Sequence, residues 1–542
     1  MKFLHNKTIF TLVILLAFTI LVAGCGQETS SSGTNGEGQQ SETPSEKVLI
    51  WGRGGDSSGL DPANVTDGES AKVTINIYDG LVKYQRDSTE VAPALAVDWE
   101  TSEDGKTWTF NLREGVKFHD GTDFDADDVV FNFERWMNED HEYHIGGTFD
   151  YWGYMFGGYP GVVESVTAVD QYTVEFKLAS PMATFIANVA MFPFGIASPE
   201  AVKEHGEDYF KNPVGTGPFK FVEWAPDDKV VLVKNENYWG EQAKLDKLVF
   251  RSIPDNSTRL MELQSGTIDI MDGITPDDVE TIKNDDNFQL TLRPSMNVGY
   301  LAMNTEKEPF DDPKVRKAVN MAINKKEIIN AFFAGLAKTA KNPLPPSLWG
   351  YNDSIEEYEF DPAQAKALLA EAGFPNGFKT TLWAMPVPRP YFPQPQKIGE
   401  AMQANLAEVG IEAEIVSHDW TTYLHKTEQG EHDMAMLGWT GDNGDPDNFL
   451  YVLLDKDNAV APAGNIAFYK NDELHDLLIE AQQEMDQDVR ADLYKQAQVI
   501  IHEDAPWVPM SHSTPPIASK KTVSGYVPHP TGVEPLDTVD IQ

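Results

Sequence analysis

A regular alternation of short apolar strands and amphipathic helices runs from residue 296 to residue 506 and limits the folds open to this chain. Alternating strands and helices pack as a parallel or mixed sheet covered by helices. We therefore predict an α/β fold for this region. The predicted strands are 298–303, 380–383, 413–416 and 433–437, and the predicted helices are 313–323, 362–372, 394–408 and 420–428.

The first half of the chain carries a second group of strand and helix patterns. A length of 542 residues exceeds one ordinary hydrophobic core and predicts two to four domains or lobes. Sequence repeats with a period of 20 to 50 residues are not visible, which excludes solenoids and propellers. The predicted strands are 47–52, 108–112, 173–178, 219–224, 230–234, 247–252 and 267–271, and the predicted helices are 70–81, 126–137 and 257–265.

The segment 438–449 follows the predicted strand 433–437 and places glycine, asparagine and proline around three carboxylates, Asp442, Asp445 and Asp447. Ligands of open α/β sheets bind beyond the carboxyl ends of the strands, where this loop is predicted to lie. A carboxylate held in a cleft is a natural partner for an ammonium group. The alternative is a turn without a ligand, because Asp, Asn and Gly are common turn residues.

Acidic residues outnumber basic ones by 85 to 42, which gives a net charge of −43. This charge argues against nucleic acid or an anionic bilayer as a partner of the folded body. It otherwise indicates a soluble, self-repelling surface.

The N-terminus has the features of a secretory signal. Lys2 and Lys7 precede an apolar run over 8–23, and no acid occurs before Glu28. The segment 22–25, Val-Ala-Gly-Cys, resembles a bacterial lipoprotein signal, in which cleavage before the cysteine leaves a thiol that carries lipid. Cys25 is the only cysteine, so an internal disulfide is excluded. The alternative is an uncleaved transmembrane anchor, for which 16 residues are slightly short.

Residues 25–46 are rich in Gly, Ser, Thr, Gln and Glu and are predicted to form a flexible tether. Lipid, tether and acidic body together predict a protein held on the outer face of the cell membrane. We expect the folded body to be a monomer.

Several motifs mark a family when they are taken together. They are Leu60-Asp61-Pro62, the segments 112–121 and 126–129, the Pro-Val-Gly-Thr-Gly-Pro-Phe run at 213–219, and 312–318. In this order they resemble the large solute-binding proteins of bacterial ABC importers (family 5), which include the dipeptide- and oligopeptide-binding proteins. Segments 341–353, 385–391 and 438–449 are similar to the dipeptide-binding branch.

The resemblance implies a two-lobed, periplasmic-binding-protein-like fold of type II, in the large three-domain variety, with mixed sheets and a hinge. It implies capture of a short peptide and delivery to a permease with two ATPase subunits. The implied boundaries are a signal peptide over 1–24, a tether over 25–46, a discontinuous lobe I domain over 47–78, 210–293 and 508–542, an inserted domain over 79–209, and a lobe II domain over 294–507.

Two residues correspond to the family's ligand clamp. The resemblance assigns Asp442 to the peptide's α-ammonium and Arg389 to its α-carboxylate. A closed cleft must replace water at both charges of a dipeptide, and arginine can meet a carboxylate with two parallel hydrogen bonds. Trp439, Thr440, Gly441 and Tyr391 resemble pocket neighbours. The alternatives are a core role for Trp439 and a surface salt bridge for Arg389.

The loop 53–58 departs from the dipeptide-binding pattern, because it adds the cation Arg53 and the acid Asp56. We include Asp56 and Ser57 among the candidate ligand-binding residues. The departure leaves open another solute, such as a longer peptide, glutathione, haem, a nickel chelate or an oligosaccharide.

The sequence contains only weak patterns for metal-binding or catalytic sites. His141 and His144 have a metal-compatible spacing but no third ligand near them, so a surface or helix-end location is the simpler interpretation. The 442–447 run lacks the pattern of a calcium loop, and no phosphate loop or nucleophile elbow is present. We expect no enzyme activity, no metal and no cofactor, with a secreted hydrolase as the remaining alternative.

Overall fold

The structure, a computed structural model, describes residues 46–542. The predicted signal peptide, most of the predicted tether and Cys25 lie outside these residues. None of the helices in the described part combines the length and the apolarity needed to span a bilayer.

The first part of the described chain, up to residue 292, is rich in short strands. Its strands are β1 (Val48–Arg53), β2 (Val82–Tyr84), β3 (Val91–Pro93), β4 (Ala96–Thr101), β5 (Thr107–Leu112), β6 (Val163–Asp170), β7 (Thr173–Leu178), β8 (Phe219–Ala225), β9 (Lys229–Lys234), β10 (Lys247–Ser252), β11 (Ile270–Met271) and β12 (Phe288–Leu292). Its helices are α1 (Gly68–Thr74), α2 (Ala126–Met137), α3 (Asp150–Phe156), α4 (Phe185–Val189), α5 (Pro199–His205), α6 (Asn256–Ser265) and α7 (Val279–Lys283).

From residue 297 onward strands and helices alternate. The strands are β13 (Asn297–Met303), β14 (Ala337–Thr339), β15 (Phe378–Trp383), β16 (Ile411–Val416), β17 (Met434–Thr440), β18 (Trp507–Ser513), β19 (Pro516–Lys520), β20 (Val523–Ser524) and β21 (Asp540–Ile541). The helices are α8 (Pro313–Ala322), α9 (Lys325–Phe332), α10 (Pro362–Glu371), α11 (Pro395–Glu408), α12 (Trp420–Glu428), α13 (Asp447–Leu454), α14 (Asp472–Gln483) and α15 (Gln487–Asp504).

Three larger sheets organise the described chain. A seven-stranded sheet has the order β12-β19-β11-β1-β10-β9-β8, with β1 parallel to β10 and β11. A four-stranded antiparallel sheet has the order β4-β5-β7-β6. A six-stranded sheet has the order β14-β18-β13-β17-β15-β16, with β15 parallel to β16 and β17. The predicted mixed α/β architecture is confirmed.

We call the part built on the seven- and four-stranded sheets the first lobe, and the part built on the six-stranded sheet the second lobe. One large apolar core, formed within 296–510, belongs to the second lobe, while three smaller cores lie in the first lobe. The chain crosses between the lobes after β12 and after β18. These two crossings pair with each other, because the backbone N–H of Arg293 donates to the Pro515 carbonyl at 2.9 Å. The exact domain boundaries stay a prediction.

Three predicted elements differ from the structure. The predicted strand 267–271 is shortened to β11 (Ile270–Met271), because only these two residues pair with β1 and β19. Helix α1 ends at Thr74 and does not continue to residue 81. The Asn76 side-chain amide donates to the carbonyls of Lys72 and Glu534, and Ile77 packs into the core after the helix has ended. Strand β17 extends to Thr440, beyond the predicted end at 437, because it pairs with the long central strand β13 along its whole length.

Candidate functional site

The candidate site lies at one edge of the six-stranded sheet. Strands β15 and β17 are parallel neighbours, with Leu382 opposite Met434, so both end at the same edge. Asp442 comes two residues after β17, and Arg389 comes six residues after β15. The fold therefore places a carboxylate and a guanidinium on adjacent loops, as expected for ligand-binding residues of an open sheet.

Asp442 is held by neutral donors. The Tyr151 hydroxyl donates to its Oδ1 at 3.0 Å, and the Asn448 amide donates to its Oδ2 at 3.4 Å. No lysine, arginine or histidine lies within 4 Å of this carboxylate among residues 46–542. The side chain retains some exposure, yet surrounding protein desolvates it, and this burial raises its pKa to about 6 despite the two hydrogen bonds. Asp442 is thus a carboxylate that a cation would stabilise.

The other two acids of the loop have internal partners. Asp445 forms a buried ion pair with Arg490 at 2.8 Å. Asp447 accepts hydrogen bonds from the Gln482 amide at 3.1 and 3.2 Å, and burial together with the nearby Asp445 charge raises its pKa to about 7. These contacts hold α14 and α15 against the loop, which leaves Asp442 as the acid available to a ligand.

Arg389 sits in a tight backbone turn. Arg389 and Phe392 exchange backbone hydrogen bonds of 3.1 and 3.0 Å, and the guanidinium lies 4.4 Å from the centre of the Trp420 ring. No carboxylate lies within 4 Å of this guanidinium among residues 46–542, so the surface salt bridge considered from the sequence is not formed there. A stacked but unpaired guanidinium is well suited to bind a planar anion.

The four predicted neighbours lie around the end of β17. Trp439 packs partly against the core, and its Nε1 donates to Asn448 Oδ1 at 2.9 Å. Thr440 closes the strand and is half-buried. Gly441 donates its backbone N–H to the Met296 carbonyl at 2.9 Å. Tyr391 is buried against Gly438, where an added Cβ would lie 2.3 Å from its ring. The structure therefore connects the Arg389 turn with the Asp442 loop through Tyr391 and β17.

Asp56 and Ser57 are bonded inside the first lobe. Arg53 donates to both, at 2.9 Å each, and Asp56 also accepts from Trp224 Nε1 at 3.0 Å and from the Asp227 backbone at 2.8 Å. No hydrogen bond or ion pair joins either residue to Asp442 or Arg389. The structure accordingly assigns Asp56 to neutralising the buried Arg53, and a ligand role for the pair stays a prediction.

A cavity of about 220 Å³ opens beside Asp442. Apart from Asp442, the residues that line it belong to the first lobe, including the end of α1, strand β2 and the tail around His529. Tyr84 and Phe192 form part of its wall. The candidate site therefore extends from the sheet edge into the first lobe.

The lobes contact each other around Asp442. Asn443 donates to Asn188 Oδ1 at 3.0 Å, and the Ala183 backbone N–H donates to the Gln482 carbonyl at 2.8 Å. Gly444 approaches Thr89 so closely that an added Cβ would lie 1.9 Å from its hydroxyl oxygen. These contacts define a closed arrangement in which the Asp442 loop is clamped by both lobes.

The metal-compatible groups of the described chain have ordinary structural roles. His141 accepts a hydrogen bond from the Tyr143 backbone, while the His144 ring packs at a tilt against Phe149 and contacts the Arg135 carbonyl at 2.8 Å. A separate group holds Asp455, Asp457 and His475 with ligand atoms within 4.8 Å of one another. There Asp455 caps a short helix and accepts from His475, which accounts for the grouping without a metal.

Two site residues were not found from the sequence. Tyr151 lies 291 positions from Asp442 in an aromatic-rich segment without a binding motif, so only the closed fold reveals their contact. Asn448 lies within the recognised loop, but its role as a bridge between Trp439 and Asp442 depends on the turn geometry. Its position six residues after Asp442, just inside α13, was the available signal.

Comparison with known proteins identifies the family. Residues 90–460, more than half of the chain, match the family described as "Bacterial extracellular solute-binding proteins, family 5 Middle". The chain is 41% identical to the dipeptide-binding protein of Escherichia coli, over 92% of this chain and 95% of that protein. It is 40% identical to heme-binding protein A of Haemophilus influenzae, over 97% and 98% of the two chains.

A solved structure agrees with these relationships. The periplasmic binding protein DppA of Helicobacter pylori, in complex with the peptide STSA, superimposes with a TM-score of 0.83 at 41% identity and covers 91% of this chain and 98% of its own. The relatives are solute-binding proteins, which points away from an enzyme. The predicted family and fold are confirmed, and the chain belongs to the bacterial extracellular solute-binding proteins of family 5.

Proposed function

We propose that this protein captures dipeptides or other short peptides and delivers them to the permease of an ABC importer. The peptide's α-ammonium binds Asp442, and its α-carboxylate binds Arg389. The protein performs no chemistry on the peptide. Closure of the two lobes encloses the ligand and gives the permease a form to recognise.

The observation that carries this proposal is that Asp442 and Arg389 both lack a partner of opposite charge in the described chain. Asp442 has no cation partner and Arg389 has no carboxylate partner in the described chain, although both lie on loops at one sheet edge. Surrounding protein desolvates Asp442, and Arg389 is half-buried. Removing an unpaired charge further from water as a cleft closes is costly, so each group favours a ligand that supplies the opposite charge. A zwitterion with both charges close together supplies both at once.

The names of relatives support a peptide as the zwitterion. The Escherichia coli relative is named a dipeptide-binding protein, and four relatives from Pseudomonas aeruginosa at 34–38% identity are named di/tripeptide-binding proteins. The Helicobacter pylori structure contains a four-residue peptide. We infer that one or more short peptide lengths are accepted.

Haem is the second candidate, because a relative at 40% identity is named a heme-binding protein. Haem iron requires an axial ligand such as histidine or tyrosine. In the cavity beside Asp442, however, His529 has both ring nitrogens bonded, at 2.7 Å to Thr531 and 3.0 Å to Ser88, and the Tyr84 hydroxyl donates to the Ala187 carbonyl. These contacts favour a peptide over haem.

The location of the protein is part of the proposal. We infer that Cys25 carries lipid and that residues 25–46 tether a monomeric body to the outer face of the cell membrane. Replacing Cys25 with serine should release the protein into the medium and abolish labelling by fatty acid. Retention of the Cys25→Ser variant on the membrane would contradict the lipid anchor.

Calorimetry of the purified protein against dipeptides, tetrapeptides, glutathione and haem tests the ligand class. We expect dipeptides or short peptides to bind, and mass spectrometry to recover them intact after incubation. Binding of haem alone would overturn the peptide assignment, and cleavage of the peptide would overturn the assignment as a receptor.

A further inference from the structure

We propose that the turn over 85–90, between β2 and β3, keeps the cleft closed, and that the C-terminal segment 529–537 holds this turn in position against the Asp442 loop. We call residues 85–90 the latch turn and residues 529–537 the tail. The inference goes beyond ligand recognition, because it concerns how long the closed form lasts. It rests on the proposed function only for the dipeptide that serves as the probe.

The latch turn belongs to the first lobe but reaches the Asp442 loop of the second lobe. Thr89 lies so close to Gly444 that a Cβ added at residue 444 would be 1.9 Å from the Thr89 hydroxyl oxygen and 2.6 Å from its Cβ. The two residues are therefore in direct contact across the lobe boundary. Opening of the lobes must separate them, so this contact belongs to the closed protein.

The hairpin that carries the latch turn is small. Strands β2 and β3 have three residues each and form a two-stranded sheet of their own. The Gln85 backbone N–H donates to the Glu90 carbonyl at 2.7 Å and closes the turn. An isolated two-stranded hairpin is at best marginally stable in water. The latch turn therefore needs support from outside the hairpin to hold a fixed position.

The tail supplies this support through an ion pair and a hydrogen bond. Arg86 donates to both carboxylate oxygens of Asp537, at 2.7 and 2.9 Å, in a two-point geometry that fixes orientation. His529 Nε2 lies 3.0 Å from the Ser88 carbonyl. Because Nδ1 of this ring accepts from the Thr531 backbone N–H at 3.3 Å, Nε2 carries the proton and donates to Ser88. These contacts join parts of one lobe and do not depend on closure.

The tail is itself fixed to the first lobe beside the hinge. Glu534 is fully buried and pairs with Arg293, at one of the two chain crossings between the lobes. Asn76 accepts from the Leu536 backbone N–H at 2.9 Å and donates to the Glu534 carbonyl at 3.1 Å. The latch turn is thus a supported part of the first lobe, and it meets the second lobe at a set position when the cleft closes.

The position of the contact predicts an effect on ligand release and not on capture. A contact that forms only in the closed protein slows opening, whereas the ligand first meets the open cleft without it. Changes at an interface act mainly on the dissociation rate. Weakening of the latch turn should therefore raise the dissociation rate of the ligand and leave its association rate within about twofold of the wild type.

Stopped-flow kinetics with the dipeptide Ala-Phe and the purified full chain test the contact with the second lobe. Thr89→Ala removes the side-chain atoms that meet Gly444 and should raise the dissociation rate about threefold to tenfold. Thr89→Val keeps the branched shape and should retain the wild-type rate. A wild-type dissociation rate in Thr89→Ala would overturn the inference.

The same kinetics test the support by the tail. Asp537→Asn removes one charge of the ion pair and should raise the dissociation rate at least about threefold. The matched control is Glu262→Gln, which weakens the pair between Glu262 and Arg251 in the first lobe. The side chains of that pair are 24% and 27% exposed, compared with 17% for Asp537 and 34% for Arg86. The control should keep the wild-type rate.

The double variant Thr89→Ala/Asp537→Asn shows whether the tail acts through the latch turn. Once the contact of Thr89 is lost, a looser turn has little further effect, so the double variant should dissociate at most about twofold faster than the faster single variant. Multiplication of the two single effects would overturn the inference. It would give Asp537, which also lines the cavity, an independent role in binding.

Hydrogen exchange of the unliganded protein tests the support without any ligand. Asp537→Asn should speed amide exchange in peptides covering 82–93 at least about threefold, and Glu262→Gln should leave it unchanged. Wild-type exchange of this segment in Asp537→Asn would overturn the inference whatever the ligand is. If the wild type bound neither Ala-Phe nor another short peptide, the proposed function would fail while the exchange result still decided the role of the tail.

Discussion

The Tyr151 hydroxyl donates a 3.0 Å hydrogen bond to Asp442 across the boundary between the two lobes. Tyr151 belongs to α3 of the first lobe, and Asp442 follows β17 of the second. Closure and preparation of the ammonium site are therefore one event, because the donor reaches the carboxylate only when the lobes meet. This relationship leads to the first prediction.

Replacing Tyr151 with phenylalanine should weaken dipeptide binding by about tenfold, since a hydrogen bond to a charged group contributes about 1.5–3 kcal/mol and water recovers part of it. Tyr154→Phe is the matched control, because Tyr154 lies on the same helix and is 61% exposed. Calorimetry of both variants provides the comparison. Equal affinities in Tyr151→Phe and Tyr154→Phe would show that the contact does not contribute to binding.

Dipeptide affinity should depend on pH through Asp442. Burial raises the pKa of this carboxyl to about 6, so its charged fraction falls about tenfold per pH unit well below 6. The ligand's α-amino group loses its proton near pH 8. Affinity measured by calorimetry should therefore rise from pH 5 to about 7 and decline above 8. Asp442→Asn should bind weakly and lose the acidic limb, whereas an unchanged limb would assign the titration to another group.

The same raised pKa predicts an opposite trend in the stability of the unliganded protein. In the unfolded chain Asp442 titrates near its ordinary value of 3.8, while in the folded protein it keeps its proton until about pH 6. Its contribution to stability is thus lost as pH rises from about 4 to 6. Compared with the wild type, Asp442→Asn should gain melting temperature over this range. Asp447, with its pKa raised to about 7, shifts both proteins alike.

Replacing Gly444 with alanine should hold the lobes apart. An added Cβ would lie 1.9 Å from the Thr89 hydroxyl oxygen and 2.6 Å from its Cβ, which is too close for atoms that are not bonded. We expect small-angle scattering to show a larger radius of gyration with ligand present, and affinity to fall more than about tenfold. The double variant Thr89→Gly/Gly444→Ala removes the clash and should recover closure. Failure to recover it would locate the defect elsewhere.

Arg389→Ala should reduce dipeptide affinity by about 2–5 kcal/mol, because the ligand carboxylate would be left without its partner in the closed cleft. Arg389→Lys should be intermediate, since lysine keeps the charge but cannot form two parallel hydrogen bonds. Trp420→Leu, which removes the ring 4.4 Å from the guanidinium, should weaken binding less than Arg389→Ala. Wild-type affinity in Arg389→Ala would exclude this residue from the site.

Local sequence signals predicted much of the fold. Helix α2 begins and ends where predicted, at Ala126 and Met137, because Asp125 and Asp128 form a capping box and the apolar residues share one face. The sequence predicts too long a helix α1. In the structure the Asn76 side chain donates to the carbonyl of the distant Glu534, and the helix has already ended at Thr74. Long-range contacts of this kind leave no local pattern.

The sequence predicts those residues of the candidate site that lie in loops directly after predicted strands. Asp442 and Arg389 stand out in loops after strands, and the fold brings those strands side by side. The partner of Asp445 could not be deduced, since Arg490 lies 45 residues away on α15. The cavity beside Asp442 could not be predicted from the sequence either, because segments near residues 80, 190 and 530 together form its wall.

The central claim is that Asp442 and Arg389 bind the two ends of one short peptide. The most direct measurement compares the affinities of a free dipeptide, its N-acetyl form and its C-terminal amide by calorimetry. The account predicts that each blocked form binds at least about thirtyfold more weakly, since each leaves one buried charge unpaired. Equal affinity for either blocked form would contradict the claim for the corresponding residue.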